Sequence, residues 1–239
     1  MSLAGGRSGM MPGMRYLFVG DSMTVGAAGD YTWRYRMWQH LCGLGEPFSV
    51  VGPRDGLYDR AADAAVSADY ADPSFPPRAR RHLAGWGEGW LHLAPVIGDV
   101  VREHRPDVLL ISLGLIDLGF YTDAGQTAAN VEQFITAARG AAPRLRMVLL
   151  PVIPNTRADL DPGFADQCTE LNTLLAKAVA DLDTPASPLL MASRPEGYDI
   201  LLDTYDGTHP NAAGEHKLAA AFADAMYQAW GVGAPYGES

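Results

Sequence analysis

The segment Asp107-Val108-Leu109-Leu110-Ile111-Ser112-Leu113-Gly114 is apolar at successive positions, not alternate ones. A strand formed there has two faces to hide, and a parallel sheet layered between helices hides both. Further apolar runs recur at Tyr16-Leu17-Phe18-Val19, Phe48-Ser49-Val50-Val51, Arg146 to Ile153 and Leu189-Leu190-Met191. Between them lie stretches with helical spacing at 30–43, 90–104, 125–140, 163–182 and 212–230. Asp30 or Thr32 is placed to cap the first of these helices and Gly43 to stop it. Strand and helix therefore alternate, which predicts an α/β fold in three layers, α/β/α, around five parallel strands.

A chain of 239 residues, 48% of them hydrophobic, can bury one such core as a single domain. Its expected span is 15–232, after a disordered Gly- and Met-rich lead at 1–14 and before a tail at 233–239. Residues 54–88 break the alternation with Pro73, Pro76, Pro77 and many Asp and Ala, a long excursion of the kind that shapes sites. The net charge of −10 argues against nucleic acid or an anionic membrane surface as a partner. No apolar run is long enough to span a bilayer, so no stable membrane insertion is expected. The N-terminus lacks an apolar signal core, which makes a cytoplasmic location the default expectation. Cys42 and Cys168 allow one disulfide or two isolated buried thiols. Neither they nor His40, His82, His92, His104 and His216 have convincing metal-ligand spacing, so no metal and no cofactor is expected.

In open parallel sheets, ligands bind beyond the carboxyl ends of the strands. Two motifs lie at such ends, Gly20-Asp21-Ser22 and Gly114 to Asp117. A serine at a strand-to-helix turn stands at the sheet rim, where its own N–H can face a developing oxyanion. An Asp or Ser there can also be a simple helix cap. The far end of the chain shifts the balance. Asp206-Gly207-Thr208-His209-Pro210-Asn211 precedes the last helix, and Asp and His three apart in a turn can lie side by side. The carboxylate then fixes one imidazole nitrogen, leaving the other as base for a serine hydroxyl.

Val19-Gly20-Asp21-Ser22-Met23-Thr24-Val25-Gly26 together with Asp206-Gly207-Thr208-His209-Pro210-Asn211-Ala212-Ala213-Gly214 resembles the SGNH hydrolases, the GDSL esterase/lipase family, over about Arg15 to Trp230. The resemblance implies a flavodoxin-like sheet and ester hydrolysis. It makes Ser22 the nucleophile and one oxyanion donor, Asp206 the orienting carboxylate and His209 the general base. The family's glycine donor corresponds to Gly87, with Gly85 second. In the family's Gly-x-Asn-Asp block the chain reads Gly114-Leu115-Ile116-Asp117, so Ile116 replaces an asparagine whose amide donates to the oxyanion. Losing such a donor slows acyl transfer by ~10²–10³-fold. Asn155 is a possible substitute donor. Asp117 is expected to hold its turn through backbone N–H groups.

Asp21, Ile116, Trp86 and Phe120 are expected to line the substrate site, with Tyr121 beside them, while Trp33 and Trp38 are expected to be core-facing or half-buried. The expected activity is a serine esterase acting through a seryl acyl-enzyme on a small-acyl or carbohydrate-borne ester. Ile116 also motivates two alternatives, an acyltransferase and a non-catalytic binding protein.

Overall fold

The computed structural model describes residues 13–237. Most of the expected lead, 1–12, and the last two residues of the expected tail lie outside them. Among the described residues the strands are β1 (Met14–Gly20), β2 (Phe48–Val50), β3 (Leu57–Asp59), β4 (Ala64–Ser67), β5 (Leu83–Ala84), β6 (Val108–Ser112), β7 (Arg146–Leu149) and β8 (Leu189–Met191). The helices are α1 (Ser22–Val25), α2 (Trp33–Gly43), α3 (Trp90–Leu93), α4 (Ile97–His104), α5 (Leu115–Phe120), α6 (Ala124–Ala141), α7 (Arg157–Leu160), α8 (Pro162–Leu182) and α9 (Ala212–Trp230). The strand that opens the chain takes in Met14, one residue earlier than the expected domain boundary.

The five expected strands pair in parallel in the order β2-β1-β6-β7-β8. This is the flavodoxin-like order, whose switch point lies at β1. Alternate residues of each strand face opposite layers. Leu17, Val19, Leu109 and Ile111 join a core with Trp90, Ile97, Phe134 and Leu171 from α3, α4, α6 and α8. Tyr16, Phe18, Val108 and Leu110 join a second core with Trp33, Met37, Leu218 and Phe222 from α2 and α9. The two-sided apolar runs are thus satisfied by helices on both faces.

Three elements depart from the sequence expectation. The helix expected across 90–104 is broken into α3 and α4 because Pro95 has no N–H to give and crowds the preceding turn. A short helix, α5, starts directly after Gly114, where no element was expected. The excursion at 54–88 holds the antiparallel pair β3–β4, a single 3₁₀ turn at Pro77–Ala79 and the two-residue β5. β5 adds a sixth strand, pairing Val19↔Leu83 and Gly20↔Ala84 on β1. Both cysteines are free thiols, so the disulfide option falls away, but Cys168 alone is buried and Cys42 is exposed, against the expectation of two buried thiols. Trp33 is fully buried and Trp38 half-buried, as expected. In the expected tail, the Tyr236 N–H donates to Asp224 Oδ1 at 2.7 Å, and its hydroxyl bonds His216 Nδ1 at 2.7 Å. No helix among the described residues is long and apolar enough to cross a membrane.

Candidate active site

β1 delivers Ser22 to the carboxyl edge of the sheet, and strand register brings the other blocks to it. Gly20 pairs with Ala84 on one side and with Ser112 on the other. The chain leaving β5 (Gly85 to Glu88) and the chain leaving β6 (Gly114 to Asp117) therefore flank the serine. The turn after β1 is tight because Gly20 has no side chain: a Cβ there would lie 1.9 Å from Thr24 Oγ1. Asp21 then caps α1, its Oδ1 accepting the Met23 N–H at 3.0 Å. The buried Arg34 guanidinium holds the far end of α1 through the carbonyls of Thr24 and Val25, at 2.7 and 2.9 Å.

His209 arrives on the loop between β8 and α9. Thr204 bridges to Pro210, the Tyr205 N–H donates to the His209 carbonyl at 3.1 Å, and Asn211 caps α9. Inside this closed turn, Asp206 Oδ1 accepts the N–H groups of Thr208 and His209, at 3.0 and 2.8 Å. Its Oδ2 is 2.7 Å from His209 Nδ1, and His209 Nε2 is 2.9 Å from Ser22 Oγ. With the proton on Nδ1 donated to Asp206, Nε2 is the acceptor for the serine hydroxyl. Burial pushes the Asp206 carboxyl up, but the bonds from the His209 backbone, its imidazole and Thr208 outweigh it, so the group stays below the usual carboxylate range. An ionised Asp206 beside Nδ1 is what fixes the tautomer.

The N–H of Ser22 has no acceptor among the described residues, and neither has that of Gly87. The Gly85 N–H is already given to the Gly20 carbonyl at 3.2 Å, which leaves Gly87 as the free donor of the pair. Gly87 has a φ of 77°, a backbone conformation that favours glycine. Its carbonyl accepts the Tyr121 hydroxyl at 3.0 Å, and Arg54 steadies the loop by an ion pair to Glu88 at 2.7 Å and a bond to the Ala84 carbonyl at 3.0 Å.

Ser22, His209, Gly87, Ile116, Trp86 and Phe120 line one open cavity of about 310 Å³. Asp21 contributes to its wall but is only 3% exposed, with its carboxylate turned to α1. Ile116 offers no hydrogen-bond donor. Asn155 stands in the same wall, where its Nδ2 donates to Thr208 Oγ1 at 3.1 Å and its Oδ1 accepts the Arg157 N–H. That bond ties the chain after β7 to the Asp206–His209 turn. Asp117 is buried outside the cavity. Its two oxygens accept the N–H groups of Trp90 and Leu91, at 3.0 and 3.2 Å, so it anchors α3 just after the Gly87 loop.

The GDSL-like lipase/acylhydrolase family matches residues 18–217. The chain belongs to this family. It is accordingly a hydrolase of the esterase kind. No curated protein sequence matches it. Among solved structures it is similar in fold to a carbohydrate esterase family 3 protein from Talaromyces cellulolyticus, at 22% identity and a TM-score of 0.73 over 90% of this chain and 97% of that one. An acetyl esterase mutant with an acetate ion gives the same identity, TM-score and coverage. A family 3 carbohydrate esterase from Clostridium thermocellum follows at 18% identity and a TM-score of 0.70, over 90% of this chain and 96% of that one.

One feature of this GDSL-like site has no local sequence signal. Trp86 stacks on Tyr58 at 4.0 Å between centroids and on His209 at 4.9 Å. Tyr205 also stacks on His209, at 5.7 Å. Tyr58 and Tyr205 were not singled out from the sequence. Tyr58 reaches the site through Trp86, which the fold brings onto His209 from another segment, while Tyr205 lies in the same loop as His209.

Proposed function

We propose that this chain hydrolyses small-acyl esters, including acyl groups carried on a carbohydrate, through an acyl-enzyme on Ser22. The observation that carries this is the unbroken hydrogen-bonded relay Ser22 Oγ–His209 Nε2, His209 Nδ1–Asp206 Oδ2, at 2.9 and 2.7 Å. In the first half-reaction, Ser22 Oγ attacks the ester carbonyl carbon while its proton passes to His209 Nε2. The carbonyl oxygen becomes the oxyanion, facing the N–H groups of Ser22 and Gly87. As the intermediate collapses, the C–O bond to the alcohol breaks and His209 returns the proton to the leaving oxygen. In the second half, water gives a proton to His209 and its oxygen attacks the acyl carbon. The proton goes back to Ser22 Oγ as the carboxylic acid leaves.

The substrate class draws on the cavity and on the neighbours in fold. A volume of about 310 Å³ is at the small end of ligand sites. Its walls include Met23, Leu115, Ile116, Phe120 and Phe164, suited to a short acyl group. Two of the similar structures are named as carbohydrate esterases and one as an acetyl esterase. A second reading, acyl transfer to an alcohol, is favoured by Ile116, which puts an apolar wall where the family has a polar donor.

The test is hydrolysis of p-nitrophenyl esters of rising chain length and of acetylated monosaccharides, with an alcohol added in competition. Acetyl esters cleaved fastest, with loss in Ser22→Ala, is the expected result. A preference for long acyl chains would sink the small-acyl assignment, and ester products dominating over free acid would replace hydrolysis by transfer.

A further inference from the structure

His209 lies inside a column of four rings. In order they are Tyr58 from β3, Trp86 from the loop after β5, the imidazole itself and Tyr205 from the loop before α9. Trp86 is within 11° of the imidazole plane and Tyr205 within 14°. Trp86 lines the open cavity beside His209, while Tyr205 lines a separate cleft beside it with Asp30 and Glu215, so the two rings approach the imidazole from different sides. Tyr58 backs Trp86 at 13°, and its hydroxyl is held by Asp63 Oδ1 at 2.5 Å.

We infer that Trp86 and Tyr205 are positioning residues for the reaction, a two-sided clamp that keeps His209 in plane and stabilises its imidazolium. The inference rests on the assignment of His209 as the base. Both of its hydrogen bonds, to Ser22 and to Asp206, lie in the ring plane. A ring that tilts breaks both at once, and two parallel faces block the tilt in either direction. When Nε2 takes the serine proton the ring becomes a cation. An aromatic face then attracts it through its quadrupole, tryptophan most strongly.

Other charges also face the imidazole. Asp206 belongs to its own loop, Asp30 precedes α2, and Glu215 on α9 is paired with Arg36 of α2. Arg60, from the turn after β3, acts on Asp30 and Tyr205. All remain when a ring is exchanged, so a change seen on exchange reports the ring.

The experiment is the pH profile of kcat/KM on p-nitrophenyl acetate for Trp86→Leu, Trp86→Phe, Tyr205→Leu and Tyr205→Phe, with His209→Ala as control. Leucine keeps an apolar cover and removes the π face. The Leu variants should move the acid limb about half a pH unit to lower pH, because the protonated base has lost an aromatic partner. Their limiting kcat should fall by about tenfold as the ring loosens. The Phe variants should restore the acid limb. If Trp86→Leu fails to fold, Tyr205→Leu, at a more exposed position, carries the same comparison. Leu variants with an unmoved acid limb, or Phe variants that restore nothing, would overturn the clamp while leaving His209 as base. Full activity in His209→Ala would overturn the base assignment itself.

Discussion

Replacing Asp117 by alanine tests whether the Gly87 loop is anchored from beneath. The carboxylate holds the N–H groups of Trp90 and Leu91, and Trp90 is 1% exposed. A hydrogen bond to a charged acceptor contributes about 1.5–3 kcal/mol, and an orphaned buried N–H costs a similar amount. The Trp90 N–H would carry that full loss. Leu91 is 38% exposed, so water takes over part of its bond. Against this, burial pushes the Asp117 carboxyl above its usual range, and removing it recovers that desolvation cost. The balance is a loss of about 2–3 kcal/mol, which lowers Tm by about 5–10 °C in a chain of this size. Calorimetry reads the first effect and steady-state kinetics the second: kcat should fall about tenfold with KM little changed, as the Gly87 donor loses its fixed place. Asp117→Asn keeps one acceptor and should lie between. A Tm within about 2 °C of the parent and an unchanged kcat in Asp117→Ala would refute the anchoring role.

Ile116→Asn should raise kcat by about 10-fold or more on acetyl esters, since one oxyanion donor is worth ~10²–10³-fold and the proposed site already has two backbone donors. A variant no faster than the parent would show that this position no longer faces the oxyanion. Stability should fall as pH rises from about 4 to about 7. The Asp21 carboxyl is pushed up to about 7 by burial, with the Asp117 charge adding, and Glu215 to about 7 by burial, with Asp30 adding. Both groups bind protons more tightly folded than unfolded, so the native state gains from low pH across that window and the gain is gone above it. Asp161 and Asp206, held low by their bonds, act in the opposite sense, but below about pH 4. Thermal melts from pH 5 to 7 should therefore show a decline that flattens in Asp21→Asn; an equal slope in the variant would refute it.

The sheet was readable because its inner strands β1, β6 and β7 are buried on both faces, and that leaves an unambiguous apolar run. The last helix was readable to the residue because Asn211 caps it and Gly231 stops it. The pair β3–β4 was not, since Leu57-Tyr58-Asp59 and Ala64-Ala65-Val66-Ser67 are short, partly exposed and carry little alternation. The break at Pro95 was hidden by apolar spacing that continues across it. In the site, Ser22, Asp206 and His209 were readable because two of the three share one turn and the serine ends a strand. The choice of Gly87 over Gly85 was a matter of spacing until the Gly20 carbonyl was seen to occupy the Gly85 N–H. Of the rings around His209, Trp86 comes from the other half of the chain, which no local pattern encodes, whereas Tyr205 precedes His209 in the same loop.

The central claim is that Ser22 is activated by His209. Labelling of the folded protein with a fluorophosphonate, read by intact mass, tests it most directly. The account predicts a single adduct on Ser22, absent in Ser22→Ala and strongly slowed in His209→Ala. An unlabelled parent, or an adduct that persists in Ser22→Ala, would contradict it.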